Sequence, residues 1–204
     1  PLWTTEMRAQ SITWGNDKLA LLGEWRWKDR KTKTWTVEPS NPSVAPKLLY
    51  ERSFEDRYND PGSPLMTYTP RGTLVMLTSD DGKSLYYSGD GASAEGDRPF
   101  LDRLDLTTQE TTRLWRSEAP YYESPVDFLD VKAQTVLTRR ETVTDPPNYF
   151  VRKLGDSAAP KAITEFPHPT PQLKDVYKEQ IRYECSRRSE TDRHLVPSAG
   201  EEAH

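Results

Sequence analysis

The sequence predicts an all-β fold, and three observations lead to that prediction. The 204 residues include 17 Pro and 10 Gly spread along the chain, which favours many turns. Six Trp and ten Tyr argue against disorder, because disordered chains are poor in aromatic residues. Short stretches that alternate apolar and polar residues recur between these turns, as half-buried strands do.

The first predicted unit covers residues 11–50 and contains four strands. Its first two strands flank Gly-Asn-Asp-Lys at 15–18, where Gly and Asn supply the positive φ angles of a tight hairpin. A Pro-rich turn separates the last two. The predicted strands are residues 11–14, 19–27, 33–37 and 47–50.

Two more four-strand units follow, over residues 68–117 and 126–166. Asp81-Gly82 marks the first hairpin of the second unit, and residues 52–64 are expected to connect it to the first unit because they are charged and rich in Pro and Gly. The predicted strands are residues 73–78, 84–88, 103–106 and 111–115, then 126–129, 135–139, 149–154 and 161–166.

Units of roughly 40–50 residues with four strands each are typical of β-propeller blades. The predicted fold class is therefore a partial β-propeller of about three four-stranded blades over residues 1–166. Propellers usually close with four to eight blades, so three would leave open faces and edges prone to association.

The aromatic residues of the first unit suggest how it packs. Period two places Trp25 and Trp27 on the same face of a strand. We expect these two side chains and Trp35 to pack between sheets, as alternating aromatics usually do, and not to form an exposed binding platform.

Composition narrows the possible partners and environments. A net charge of −4, from 28 basic and 32 acidic residues that are interspersed, argues against nucleic acid as a partner. No apolar run approaches the roughly 18 residues of a membrane span. The single Cys185 rules out an internal disulfide and fits a reducing compartment.

Several stretches, taken together and in order, resemble one family. They resemble the propeller of the prolyl oligopeptidase family, most closely its glutamyl endopeptidase branch, and the likeness runs from about residue 3 to residue 183. The stretches are WRWKDRKTKTW at 25–35, YNDPGSP at 58–64, GDGASAEGDRPFLDRLDL at 89–106, RETVTDPPNYF at 140–150 and FPHPTPQLKDVYKEQIRY at 166–183.

This resemblance implies a function for the parent protein. In the family a propeller caps an α/β-hydrolase domain that carries the catalytic Ser, Asp and His and needs no cofactor. It implies a serine peptidase that cleaves peptides after Glu, whose propeller filters substrates by size. This chain matches the propeller alone, so we expect it to be inactive by itself. In a plant or alga the resemblance implies the chloroplast stroma, and otherwise the cytoplasm.

Two alternatives stay open at this point. The chain could be a non-catalytic propeller module that binds a partner protein. It could also come from an acylaminoacyl-peptidase or aminopeptidase relative, which propeller sequences discriminate poorly.

The C-terminal residues lose the pattern of the rest. Residues 167–183 are expected to form an exit linker and the start of a strand toward the hydrolase domain, whereas residues 184–204 are polar and without periodicity and are expected to be disordered. Read one base later, possible codons for residues 187–200 can spell DGVKLTATLYLPPG, the continuation that the family implies. A shifted reading frame and a genuine isoform tail are both consistent with this.

Catalytic and metal sites receive little support from the residues. No Gly-x-Ser-x-Gly elbow occurs. His168 lies between two prolines and is expected to be structural. The acidic loop with Asp90, Glu95 and Asp97 lacks the alternating oxygen spacing of a calcium loop, so we expect a solvated connection and no metal.

Arg139 and Arg140 are the candidate substrate-gating residues. They lie at the end of a predicted strand, and an enzyme that cleaves after Glu needs a cation for the substrate carboxylate, which Arg binds in a bidentate manner. Ion pairing with Glu141 at the surface is the competing interpretation.

Overall fold

The computed structural model describes residues 2–173, 176, 179–184 and 190–195. These residues form sixteen β-strands and two 3-10 turns, Trp27–Asp29 and Pro171–Leu173. The strands are β1 (Arg8–Asn16), β2 (Leu19–Arg26), β3 (Lys31–Val37), β4 (Lys47–Ser53), β5 (Ser63–Pro64), β6 (Met66–Tyr68), β7 (Leu74–Met76), β8 (Ser84–Gly89), β9 (Phe100–Asp105), β10 (Thr111–Arg116), β11 (Tyr122–Asp130), β12 (Thr135–Glu141), β13 (Asn148–Lys153), β14 (Lys161–Ala162), β15 (Glu179–Glu184) and β16 (Glu190–Leu195).

Three four-stranded antiparallel sheets make up most of the molecule. Sheet 1 has the order β1-β2-β3-β4, sheet 2 the order β5-β8-β9-β10 and sheet 3 the order β11-β12-β13-β14. Each sheet takes its strands in chain order, as a propeller blade does. The predicted fold class, an all-β partial propeller of about three blades, is confirmed.

The first strand of sheet 2 differs from the prediction. Residues 73–78 were expected to form it, but β5 holds that position and pairs with Tyr87 and Ser88. The segment after β5 leaves the sheet as an inserted hairpin, β6–β7, closed at its base by a 2.8 Å bond from the Leu77 amide to the Leu65 carbonyl. The chain then returns to the sheet at Thr78, which bridges to Leu85. The first strand is therefore split by an insertion.

The described part of the C-terminal region forms a second small hairpin. Strand β16 pairs with β15 over Glu190–Leu195, although residues 184–204 were expected to be disordered. A two-stranded ladder needs only backbone donors and acceptors, so the absence of an apolar pattern does not prevent it. Residues 185–189 and 196–204, including Cys185, lie outside the described residues.

The core lies between neighbouring sheets. Leu21 of sheet 1 packs with Leu85 and Leu104 of sheet 2, and Leu101 of sheet 2 packs with Val136 of sheet 3. Alternation along β2 turns Ala20 and Leu22 to the opposite face of sheet 1, where Trp3 and Trp35 cover them.

Trp27 and Trp35 do not share one environment. Trp35 packs in the core as expected and donates its Nε1 to the buried Glu24 carboxylate at 2.9 Å. Trp27 is 62% exposed and stacks on Phe54, which corrects the expectation for this residue. The reason is local: β2 ends at Arg26, and Trp27 begins a 3-10 turn, so the period-two pattern stops there.

Candidate functional site

The first strands of the three sheets line a common groove. One cavity of about 440 Å³ is bordered by the ends of β4 and β8 and the beginnings of β5 and β11. A second cavity of about 210 Å³ lies between β1 and β5 and shares Arg52, Gly62 and Ser63 with the first. We call these two cavities together the first-strand groove. Its polar lining includes Ser11, Thr13, Thr32, Thr34, Arg52, Arg57, Asp60, Ser63, Ser88, Asp90 and Ser124.

Two arginines give the groove its positive charges, and their guanidinium groups are held by neighbouring residues to different degrees. Arg52 pairs with Asp60 at 3.0 Å and donates Nη1 to the carbonyls of Ser53 and Asp56, at 3.0 and 3.2 Å. Arg57 is 64% exposed and approaches Asp97 at 3.3 Å. Exposed pairs of this kind contribute about 0–1 kcal/mol, so a ligand can displace the partner of Arg57 more easily than that of Arg52.

Glycines allow the walls of the groove to approach each other. Gly62 has a φ of 78°, and a Cβ there would lie 2.1 Å from the Ser88 carbonyl oxygen. A Cβ on Gly89 would lie 2.9 Å from the Gly62 Cα, and one on Gly91 would lie 2.0 Å from the Arg98 carbonyl oxygen. The end of β8 and the segment before β5 therefore meet main chain to main chain, and the loop after β8 approaches itself closely at Gly91.

A buried ionic network supports the groove from sheet 3. The Glu123 carboxylate in β11 accepts from Arg152 in β13 at 3.0 Å and from the Thr138 hydroxyl in β12 at 2.6 Å. The Arg152 guanidinium lies 5.3 Å from the Trp115 ring centroid of sheet 2. This network thus links β11, β12 and β13 to one another and to sheet 2 at the edge of the groove.

The two arginines predicted from the sequence lie outside the groove and on opposite faces of β12. Arg139 pairs with Glu141 at 3.1 Å, the arrangement of the competing interpretation. Arg140 is stacked between two rings, with its Cζ 3.8 Å from the Phe150 centroid and 4.3 Å from the Tyr121 centroid. It lines a separate cavity of about 410 Å³.

The sequence did not single out Arg52 and Arg57. Both lie in residues 52–64, which were interpreted as a connecting segment. Two features of this segment could have indicated a binding site: its two arginines and the start of a strand at Ser63. Only the fold shows that this strand, β5, borders the groove.

The other titratable candidates have structural partners. The His168 Nδ1 accepts from the Thr170 amide at 3.1 Å. In the acidic loop Glu95 pairs with Arg98, and Asp97 pairs with Arg57. Among the described side chains no group of three His, Cys, Asp or Glu is placed to hold a metal. In the same part of the chain no helix is long and apolar enough to cross a membrane.

Two curated relatives that match the chain are named as peptidases. No protein-family model matches the chain. The chain is 37% identical over 191 residues to "Probable glutamyl endopeptidase, chloroplastic" of Oryza sativa subsp. japonica, and this match covers 88% of the chain. It is 36% identical over 192 residues to the protein of the same name in Arabidopsis thaliana, again over 88% of this chain.

Two solved structures are similar to the chain at low sequence identity. Dipeptidyl peptidase 4 of Porphyromonas gingivalis has a TM-score of 0.44 and 12% identity, over 89% of this chain and 30% of that protein. The β-propeller domain of the Trilobed protease of Pyrococcus furiosus has a TM-score of 0.41 and 11% identity, over 95% of this chain and 55% of that one.

The match to the plant proteins covers most of this chain but only a small part of those proteins. It includes most of this chain, while the chain spans about a fifth, 20%, of the length of those relatives. The chain is therefore related to the glutamyl endopeptidase branch of the prolyl oligopeptidase family, the resemblance that its sequence indicated, and corresponds to part of the β-propeller.

Proposed function

We propose that this chain is the substrate-filtering propeller part of a serine peptidase that hydrolyses peptides after Glu. The observation that carries the proposal is the 37% identity to a protein named glutamyl endopeptidase over 88% of the chain. Residues 1–166 supply the propeller sheets, and residues 167–183 lead toward an α/β-hydrolase domain that holds the catalytic Ser, Asp and His.

The first-strand groove is the path that the proposal assigns to peptides. Its hydroxyls and exposed backbone can hydrogen-bond an extended main chain without selecting a sequence. Arg57, with its weak surface partners, attracts acidic segments to the rim. The groove thus filters and orients peptides, whereas bond cleavage belongs to the hydrolase domain.

The test begins with the transcript and the genomic locus across and beyond codons 178–204. We expect an open frame that encodes a Gly-x-Ser-x-Gly motif with a later Asp and His. The protein encoded there should cleave a peptide after Glu but not the matched Gln peptide, and an inhibitor of serine hydrolases should block the reaction. The purified 204-residue chain should cleave neither peptide.

Either of two results would contradict the proposal. One is hydrolysis by the 204-residue chain alone that a serine hydrolase inhibitor blocks. The other is a frame that ends at His204 in both transcript and genome, together with a stoichiometric partner protein that co-purifies, which would establish the non-catalytic interaction module instead.

A further inference from the structure

Arg140 is fixed in a way that no other arginine of the described chain matches. The Phe150 ring covers one side at 3.8 Å, and the Tyr121 ring lies 4.3 Å away. Its guanidinium has no hydrogen bond or ion pair to any described residue, and it borders a cavity of about 410 Å³. Stacking fixes the plane of a guanidinium and leaves its N–H donors pointing outward in that plane.

We infer that this cavity binds one carboxylate group, that of an acidic side chain in a peptide. The planar fork of a guanidinium matches the two oxygens of a carboxylate, and charge-assisted hydrogen bonds are stronger than neutral ones. Aromatic contacts remove the entropic cost of ordering the Arg140 side chain before the ligand arrives. The inference rests on the proposed function, because that function makes peptides the available ligands.

The neighbouring arginine shows why the site belongs to Arg140 alone. Alternation along β12 turns Arg139 to the opposite face of the sheet, where Tyr149 lies directly across the ladder. There Arg139 is neutralised by Glu141 at 3.1 Å. The two adjacent arginines therefore have the same formal charge but different capacities for a ligand.

Asn148, which lies directly across the β12–β13 ladder from Arg140, already has hydrogen-bond partners within the chain. The Asn148 Oδ1 accepts from the Thr164 hydroxyl at 2.8 Å and from the Phe166 amide at 2.7 Å. Its Nδ2 donates to the Pro146 carbonyl at 3.3 Å. This amide holds the segment after β14 against β13, and Arg140 supplies the positive charge of the cavity lining.

Acidic residues also border the cavity and set its selectivity. Glu141 is paired with Arg139, and the Asp145 Oδ2 accepts from the Thr142 hydroxyl at 2.9 Å, while Glu165 adds a further negative charge. One carboxylate can approach the stacked guanidinium, because direct contact outweighs screened charges farther away. A phosphate dianion or a polyanion meets more repulsion from these acids.

The experiment measures binding of fluorescent peptides, blocked at both termini, to the full 204-residue chain by anisotropy. A peptide with one central Glu should bind at least about tenfold more tightly than the same peptide with Gln, the size expected for hydrogen bonds to a charged group. Arg140→Gln should remove that preference, and Arg140→Lys should reduce it because the charge remains but the fork is lost. Arg139→Gln is the matched control and should leave the preference within about twofold.

Two further measurements identify the ligand group and exclude misfolding of the variants as the cause of lost binding. Inorganic phosphate should not compete at concentrations where acetate does, and circular dichroism should show equal unfolding temperatures for the three variants. Equal binding of the Glu and Gln peptides, an equal loss with Arg139→Gln, or competition by phosphate alone would overturn the inference. Cleavage after Glu by the protein encoded at the full locus would still support the proposed function in those cases, so the two failures are distinguishable.

Discussion

Gly62 and Gly72 have the same backbone conformation but different surroundings. Both have a φ of 78°, yet a Cβ would lie 2.1 Å from the Ser88 carbonyl oxygen at Gly62 and would meet nothing within 4 Å at Gly72. We expect Gly72→Ala to lower the free energy of unfolding by about 1 kcal/mol, the cost of a left-handed backbone. Gly62→Ala should cost at least about 2 kcal/mol because a backbone clash is added. Urea unfolding followed by Trp fluorescence measures both, and equal losses would show that the contact at Ser88 relaxes freely.

The half-buried Tyr50 and the buried Tyr87, which lie between sheets 1 and 2, predict a loss of stability at alkaline pH. Burial raises the pKa of Tyr50 to about 12 and raises the pKa of Tyr87 further. The folded chain keeps these protons where the unfolded chain releases them near pH 10, so stability is intact below pH 10 and falls as the pH rises toward 12. The Tyr87 hydroxyl is also buried with no hydrogen-bond partner among the described residues.

Tyr87→Phe tests both properties of that side chain. Removing an unsatisfied buried hydroxyl should raise the free energy of unfolding at pH 7 by about 1 kcal/mol. The same substitution should make the decline above pH 10 shallower, because one group no longer titrates on unfolding. The exposed Tyr58, changed to Phe, is the control and should alter neither quantity. Destabilisation by Tyr87→Phe at pH 7 would mean that the hydroxyl has a partner in solution.

At the scale of elements, Glu123 links the strands of sheet 3. Its carboxylate is 3% exposed and the Arg152 side chain 18%, so Glu123→Ala leaves a largely buried cation unpaired. We expect a loss of about 3–5 kcal/mol in the free energy of unfolding. Asp80→Ala removes an exposed pair with Lys132 at 3.3 Å and should cost less than about 1 kcal/mol. The double variant Glu123→Ala, Arg152→Met should recover part of the loss; no recovery would place the effect in packing.

The sequence predicted those elements whose signals are local. Hairpin residues at 15–18 and Asp81-Gly82 marked turns correctly, and alternation located the strands of sheets 1 and 3. The split strand before β8 could not be predicted, because its two pieces join only through the bond between Leu77 and Leu65. The sequence proposed Arg139 and Arg140 as substrate-gating residues, and both lie outside the first-strand groove. Only the facing rings and Glu141 show how these two arginines differ.

At the scale of the whole molecule, one sheet face has no matching layer in the described chain. The side of sheet 3 turned away from sheet 2 carries Leu137 opposite Val151, and Ile163 there is 53% exposed. We expect concentration-dependent association through this face, because apolar surface of this kind is favourably buried. Ile163→Glu should weaken the association in sedimentation velocity, whereas Leu74→Glu on the inserted hairpin, 48% exposed before substitution, should not. An equal effect of both variants would place the contact elsewhere.

The close contacts at Gly62, Gly89 and Gly91 also bear on how such a groove can change during evolution. Since no larger side chain fits at these three positions, point substitutions cannot reshape that wall while the sheets keep their spacing. Variation in what the groove admits must come from its charged side chains, Arg52, Arg57 and their acidic partners. We therefore expect the shape of the groove to stay constant among related proteins, because the backbone determines it, and its charge to vary.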